Sequence, residues 1–170
     1  MRKSKAKEMT IIALLCAIGL IVHQLMPAFF GMQADFTLIM LGIIIIMYND
    51  DFSLCVMAGL ILGVFTSITT KFPGGQIPNI LDKVFTSVII YYVFSYVLKN
   101  INNKIIRNTC VFVLITLVSG FLFLGTAYLL VGLPGSFFLL FGTSVLPAIL
   151  INTIMGIIIE PIIEKTKNKI

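Results

Sequence analysis

The sequence is poor in charged residues. Asp, Glu, Lys and Arg make up 11% of its 170 residues, whereas a soluble domain carries about 25%. The hydrophobic fraction is 59% and the mean hydropathy is +1.09. Because so few charges cannot cover a water-exposed surface, apolar side chains must face lipid as well as one another. The composition predicts a multi-pass protein of the cell membrane, with one transmembrane domain over residues 1–170.

The sequence also lacks the motifs of common catalytic sites. It contains a single histidine and few carboxylates, and it has no H-E-x-x-H, no His/Cys cluster and no G-x-S-x-G. No Walker A loop is present, so the chain is not expected to hydrolyse ATP itself. The three cysteines lie inside apolar runs, which favours a packing role over a disulfide framework. We predict no metal centre, no cofactor and no enzymatic activity.

The apolar runs predict an all-α bundle of six transmembrane helices, since a helix needs about 20 apolar residues to cross a bilayer. The runs cover residues 9–29, 34–48, 52–70, 79–98, 109–131 and 137–163. Prolines, glycines and polar clusters separate them. The second run is short, so a helix there must start earlier in the chain, be too short to span the whole bilayer core, or be irregular.

The basic residues predict that both termini are cytoplasmic. Ten of the 12 fall in the N-terminal tail, the fourth connection or the C-terminal tail. Six spans place these three segments on one side, and cytoplasmic segments are enriched in Lys and Arg. Only Lys71 and Lys83 lie elsewhere, near the third connection. The net charge of +5 is therefore explained by topology and anionic lipid, and no nucleic acid is expected as a partner.

The third connection, residues 71–83, is the most informative of the three on the outer side. Pro78 suits the first position of a helix, and Asn79, Asp82 and Lys83 then share one face of it. An acceptor, an anion and a cation fit a zwitterionic amino acid, whose ammonium needs an anion and whose carboxylate needs a cation or a helix N-terminus. In the structural alternative, Asp82 complements the helix dipole and Lys83 snorkels to the surface.

Four other polar residues have their own interpretations. His23 would bind a substrate or donate to a backbone carbonyl freed by Pro27. Asp35 is expected to be a helix N-cap. Asn152 would bridge helices or reach a ligand. Glu160 lies near the cytoplasmic end of the last run and is expected to be solvated.

Small residues recur at a spacing of four on two of the predicted helices. Ala13 and Ala17 form A-x-x-x-A on the first helix, and Gly59 and Gly63 form G-x-x-x-G on the third. Both pairs would allow another helix to approach closely.

The order and spacing of these residues resemble the bacterial tryptophan transporters over nearly the whole chain. The matching segments are Thr69 to Lys83, His23 with Pro27, Gly31 and Asp35, Val131 to Gly135, and Pro147 with Asn152 and Thr153. That family is similar to the S components of energy-coupling factor (ECF) transporters, which are six-helix membrane proteins of this length. S components capture a micronutrient near the outer face, and a separate membrane coupling subunit with two ATPase subunits drives import.

The resemblance implies an ECF S component that binds L-tryptophan outside and delivers it inward. Asn79, Asp82 and Lys83 would hold the amino acid head group. Phe72 and Phe29 would stack on the ligand or close the pocket.

The resemblance also gives roles to residues outside the head-group set. Gln76, with Asn152 or His23, would meet the indole N–H or the carboxylate. Ala13 and Ala17 would form the face of the first helix that meets the coupling subunit.

Two alternatives stay open at this point. The first is an S component for another small nutrient, such as biotin or thiamine. The second is a structural or assembly membrane protein without a transported ligand, against which the convergent polar residues at one membrane face argue.

We expect cysteines introduced by Lys3→Cys and Asn168→Cys to be protected from a membrane-impermeant thiol reagent in intact cells and labelled after lysis. The reason is the clustering of basic residues on both tails. The substitutions belong in a background without the three native cysteines. Labelling of either position from outside would contradict the six-span topology.

Overall fold

The computed structural model describes residues 5–25 and 35–167, where all regular structure is helical. The α-helices are α1 (Lys5–Leu25), α2 (Phe36–Met47), α3 (Phe52–Thr69), α4 (Gln76–Tyr96), α5 (Lys104–Leu130), α6 (Phe137–Leu140) and α7 (Leu146–Lys167). A short 3-10 helix, Leu98–Asn100, follows α4, and a π-helical turn, Phe141–Val145, joins α6 to α7.

Five helical stretches are long and apolar enough to cross a membrane. They are Lys5–Leu25, Phe52–Thr69, Gln76–Asn100, Lys104–Leu130 and Phe137–Lys167. The sixth apolar helix, α2, has 12 residues and is about 18 Å long, short of a hydrocarbon core of about 30 Å. The all-α prediction is confirmed for the described residues, while the count of six spans and the side of the termini stay predictions.

The short helix α2 is the core of the bundle. Each of its residues from Phe36 to Ile46 is buried, and it packs against α1, α3, α4, α5 and α7. A helix that is apolar on all sides is stable only when protein or lipid surrounds it, and here the surrounding helices enclose it. The polar groups at its N-terminus therefore lie in the protein interior.

Helices α3 and α4 touch through the G-x-x-x-G pair predicted from the sequence. A Cβ added at Gly59 would lie 2.4 Å from Ser87 Oγ and 2.8 Å from the carbonyl oxygen of Lys83. A Cβ at Gly63 would lie 3.1 Å from the Cα of Ile80. The prediction of close approach is confirmed for this pair, and the contact fixes the depth and rotation of the α4 segment that carries Lys83.

Two predictions about single residues are wrong. Glu160 is not solvated: it is 3% exposed, and its Oε1 lies 3.3 Å from Lys104 Nζ on α5. Its face of α7 turns toward α5, where a cation is available.

Pro78 does not open its helix, because α4 begins at Gln76 with Gly75 as the N-cap. Pro78 still lies in the first turn, where a missing N–H leaves no helical bond unmade.

We expect Gly59→Ala to lower the stability of the protein by about 1–3 kcal/mol, because the new methyl group overlaps Ser87 and the backbone of α4. The matched control is Gly125→Ala on α5, where an added Cβ meets nothing within 4 Å. That change should be neutral or stabilising by up to about 1 kcal/mol. Thermal unfolding of both variants in detergent measures the difference, and equal melting temperatures would contradict the tight α3–α4 contact.

Candidate functional site

Lys83 is held between two carboxylates in the interior of the bundle. Its Nζ lies 2.9 Å from Asp82 Oδ2 and 3.0 Å from Asp35 Oδ2. The third acceptor is Ser119 Oγ on α5, at 3.4 Å. An ammonium has three hydrogens to donate, so all three are engaged. We call Asp35, Asp82, Lys83 and Ser119 the charge cluster.

Asp82 is the fully enclosed carboxylate of the charge cluster. Its Oδ1 accepts from Thr86 Oγ1, one turn further along α4, at 3.0 Å. Its Oδ2 accepts from Ser119 Oγ at 2.9 Å as well as from Lys83. The residue is 1% exposed. These three donors compensate the loss of hydration that burial of a carboxylate causes.

Asp35 is the more open carboxylate, and the predicted N-cap is confirmed. Its Oδ1 accepts from the Leu38 N–H at 3.1 Å and from Thr37 Oγ1 at 2.5 Å. Its Oδ2 accepts from Lys83, and its side chain is 27% exposed. His23 Nδ1 on α1 lies 3.8 Å from Oδ1. Asp35 thus joins the start of α2 to α4 and lies near α1.

Asn152 bridges three helices, which confirms the interhelical interpretation. Its Oδ1 accepts from the backbone N–H of Asp35 at 2.9 Å, and its Nδ2 lies 3.3 Å from Thr116 Oγ1. The amide therefore connects α7 to the start of α2 and to α5. It is 2% exposed and holds Asp35 in position beside Lys83.

The charge cluster has more negative than positive groups. Two carboxylates and one ammonium carry a formal net charge of −1 when all are ionised. An unpaired charge in a low-dielectric interior is unfavourable by several kcal/mol. Asp82 is fully bonded, and Asp35 is the more open carboxylate, with His23 Nδ1 3.8 Å from its Oδ1. The net charge of the three groups therefore favours a cation beside Asp35, whether from His23 or from a ligand.

An apolar cavity of about 230 Å³ adjoins the charge cluster. Its polar wall includes Asn79, Thr116 and Asn152 as well as the four residues of the cluster. The rest of the lining is mostly apolar and consists of Leu38, Gly120, Phe123, Ser144, Val145 and Ala148. A cavity with a few convergent polar groups and an apolar remainder is typical of small-molecule sites.

The π-helical turn forms part of the apolar wall. Ser144 and Val145, within it, both line the cavity. A Cβ at Gly120 would lie 2.5 Å from Val145 Cγ1, so α5 can approach the turn only because residue 120 is a glycine. Single π-turns inside α-helices occur often at functional sites, and here the turn presents Val145 to the cavity.

A second, polar cavity of about 180 Å³ lies beside the first. It is lined by His23, Gln24, Asp35, Thr66, Thr69, Thr70, Lys71 and Asn79. Asp35 and Asn79 line both cavities. The two spaces therefore meet at the start of α2 and the first turn of α4.

The structure brings together most, not all, of the residues predicted from the sequence. Asp82, Lys83, Asn79 and Asn152 line the apolar cavity, and His23 lines the polar one. Gln76 is exposed and lines neither.

The predicted aromatic and small residues lie around the site. Phe72 contacts Phe123 edge-on, with ring centroids 5.4 Å apart, so it supports a residue of the apolar wall. Phe29 lies outside the described residues. Ala13 is exposed on α1 and Ala17 is half-buried.

Several residues of the site have only a weak signal in the sequence. The sequence predicts that Asp35 is a helix cap, but no residue near it in the sequence indicates that it pairs with Lys83, 48 positions later. Thr116 and Ser119 are small hydroxyl residues of the kind common in membrane helices. The best available signal is charge: Lys71 and Lys83, the two basic residues outside the tails and the fourth connection, both line the cavities.

Comparison with known proteins gives a consistent result. The family model described as "Tryptophan transporter TrpP" matches residues 5–168. Similar chains, each described as a probable tryptophan transport protein, come from Clostridium perfringens, with 45% identity over 96% of this chain and 94% of the relative, and from Clostridium acetobutylicum, with 41% identity over 94% and 93%. A third, from Bacillus subtilis, is 40% identical over 94% of this chain and 92% of the relative. No solved structure matches the chain.

Proposed function

Because this chain belongs to the tryptophan transporter family, we propose that it binds L-tryptophan at the charge cluster and takes it across the cell membrane. It is a multi-pass membrane transport protein and not an enzyme. The observation that carries the proposal is the buried Asp35–Lys83–Asp82 group beside a largely apolar cavity. Ionisable residues inside membrane segments are rare and tend to mark substrate sites.

The chemistry of tryptophan matches the two sides of the apolar cavity. Its head group is zwitterionic, and the charge cluster with Asn79 offers charged and hydrogen-bonding partners for it. Its indole is flat and mostly apolar, and Phe123, Val145 and Ala148 offer an apolar wall. Aromatic rings gain about 0.5–1.5 kcal/mol from suitable ring contacts beyond the burial of area. The hydroxyl groups of Ser144 and Thr116 in the same walls are partners for the indole N–H.

The chain would act as an S component, with an ATP-driven coupling module as its partner. The sequence has no nucleotide-binding loop, so ATP-driven uptake would need a separate ATPase. One face of α1 carries Ala13 and Ala17 between larger exposed residues, Met9, Leu14 and Ile21. Small side chains allow a partner helix to approach the backbone closely. We also propose that the chain has six spans and that both of its termini are cytoplasmic.

We expect Asp82→Asn to weaken L-tryptophan binding at least tenfold while the protein still folds. Without that charge, Lys83 pairs with Asp35 alone, and the cluster loses the net negative charge that attracts an ammonium. A hydrogen bond to a charged group contributes about 1.5–3 kcal/mol, and about 1.4 kcal/mol is a factor of ten in affinity. Isothermal titration calorimetry on purified protein gives the value.

The matched control for this substitution is Asp50→Asn. Asp50 is 90% exposed and pairs with Lys99, and it lies beyond the end of α2 opposite Asp35, so the same chemical change there should leave affinity unaltered. If Asp82→Asn only lowers the melting temperature and binds tryptophan like the unmodified protein, the head-group assignment is wrong. Displacement of tryptophan by a vitamin at equal concentration would instead favour another nutrient.

We expect the double variant Ala13→Leu, Ala17→Leu to lose co-purification with the coupling module and tryptophan uptake. Two leucines would hold a partner helix away from the backbone of α1. Tryptophan binding by the isolated chain should stay unchanged, because neither residue lines the cavities. The control is Ile154→Ala with Ile158→Ala, which changes two exposed residues of α7, away from the proposed docking face, and should leave uptake unchanged. Normal uptake by the double leucine variant would rule out this docking face.

A further inference from the structure

If the chain binds L-tryptophan as proposed above, the ammonium and the carboxylate of the ligand each need a partner in the walls of the two cavities. Lys83 is a poor direct partner for a ligand carboxylate. Its three hydrogens are engaged by Asp35, Asp82 and Ser119, and the residue is 2% exposed. A carboxylate that approached it would first have to displace one of these acceptors.

Asp35 is the carboxylate with room for a ligand. Lys83 is the one donor within hydrogen-bond distance of its Oδ2 among the described residues, 5–25 and 35–167. The side chain is 27% exposed and lines both cavities. A carboxylate oxygen can accept more than one hydrogen bond, and the net charge of the cluster favours a cation. The ammonium of the ligand therefore belongs at Asp35.

An ammonium at Asp35 places the α-carbon where the two cavities meet. With the indole in the apolar cavity, the carboxylate points toward the polar one. Each space alone, at about 230 and 180 Å³, is below the range of about 300–1,000 Å³ usual for small-molecule sites. A ligand that occupies both would use Asp35 and Asn79, the two residues that they share.

Lys71 is the cation in the wall of the polar cavity. The hydroxyls of Thr66 and Thr69 donate to carbonyl oxygens of their own helix, at 2.9 Å in each case, so their hydrogens are engaged. Across the described part of the chain, no carboxylate lies within ion-pair distance of Lys71. The ammonium of Lys71 can therefore donate to a ligand carboxylate, whereas the three hydrogens of the Lys83 ammonium are already engaged.

We propose that Asp35 binds the ammonium of tryptophan and that Lys71 binds its carboxylate, so that the head group lies across the junction of the two cavities. Asp82 and Lys83 then act as positioning residues that hold Asp35 in place. Two other accounts compete. Lys71 directly follows Thr70, the C-cap of α3, and a cation there would stabilise the helix dipole. His23 lies in the same wall as Lys71 and would be another partner for the carboxylate.

The test combines substitutions in the protein with matched changes in the ligand. L-tryptophanamide keeps the shape of tryptophan and its ammonium but has no carboxylate charge, and indole-3-propionate keeps the carboxylate but has no ammonium. Affinities are measured by calorimetry, or by competition with labelled tryptophan. We expect Lys71→Met to weaken L-tryptophan at least about tenfold and L-tryptophanamide by less than about twofold.

We expect the opposite selectivity for Asp35→Asn. It should weaken both ammonium-bearing ligands at least about tenfold and leave indole-3-propionate within about twofold. Asparagine is as good an N-cap as aspartate, and its Oδ1 can still accept from Leu38 and Thr37, so the start of α2 is retained. Its Nδ2 cannot accept from Lys83, which keeps Asp82 and Ser119 as acceptors. Lys99→Met, which removes an exposed lysine paired with Asp50, is the matched control for Lys71→Met and should change no affinity.

The outcomes separate this inference from the proposed function. If the unmodified protein does not bind L-tryptophan, the proposed function fails. If it binds and Lys71→Met binds equally well, or loses tryptophan and tryptophanamide by the same factor, the assignment of Lys71 is overturned. In that case a selective loss of tryptophan affinity in His23→Gln identifies the carboxylate partner instead. If Asp35→Asn still binds tryptophan normally, the assignment of Asp35 is overturned.

Discussion

The buried ammonium of Lys83 is the group around which the rest of the site is arranged. A lysine in the interior of a membrane bundle is stable only with anionic and hydrogen-bonding partners. Those partners come from three helices or their ends: Asp82 from α4, Ser119 from α5 and Asp35 from the start of α2. Each must reach the same point, so the ion pairs fix the relative depth of the helices. The contact of Gly59 with the backbone of α4 at Lys83 brings α3 into the same arrangement.

The length of α2 makes this arrangement possible. A helix that spanned the whole hydrocarbon core would end at the membrane surface, where a capping aspartate is solvated. With 12 residues, enclosed by five other helices, α2 begins among the other helices, and its cap lies beside Lys83. The same aspartate therefore satisfies the N–H of Leu38, pairs with Lys83 and lines both cavities. A helix end at this depth supplies polar groups that helix interiors cannot.

Sequence patterns predicted the parts of this arrangement that depend on neighbours along the chain. The apolar runs, the cap at Asp35, the shared helix of Asp82 and Lys83, and the small residues of α3 all follow from local spacing. What local spacing cannot provide is which helix faces which. The pairing of Asp35 with Lys83, and the burial of Glu160 against Lys104, depend on helix rotation and on partners 48 and 56 positions away. Helix rotation also explains why Gln76, predicted to contact the ligand, does not line the cavities. The helix α4 begins at that residue, and its side chain lies on the surface.

The two ends of the bundle differ in the partners that they offer to a zwitterion. The cavities lie at the end that carries the starts of α2 and α4. At the other end, Lys104 pairs with Glu160 and Glu164, and Lys167 donates to the carbonyl of Met47. Between the two ends of the bundle, the side chains of α2 from Leu38 to Met47 are all apolar. A zwitterion that moved past them would lose its partners, at a cost of several kcal/mol per charge. The fold therefore offers polar partners for a zwitterion at the end that carries the cavities and none along α2 from Leu38 to Met47.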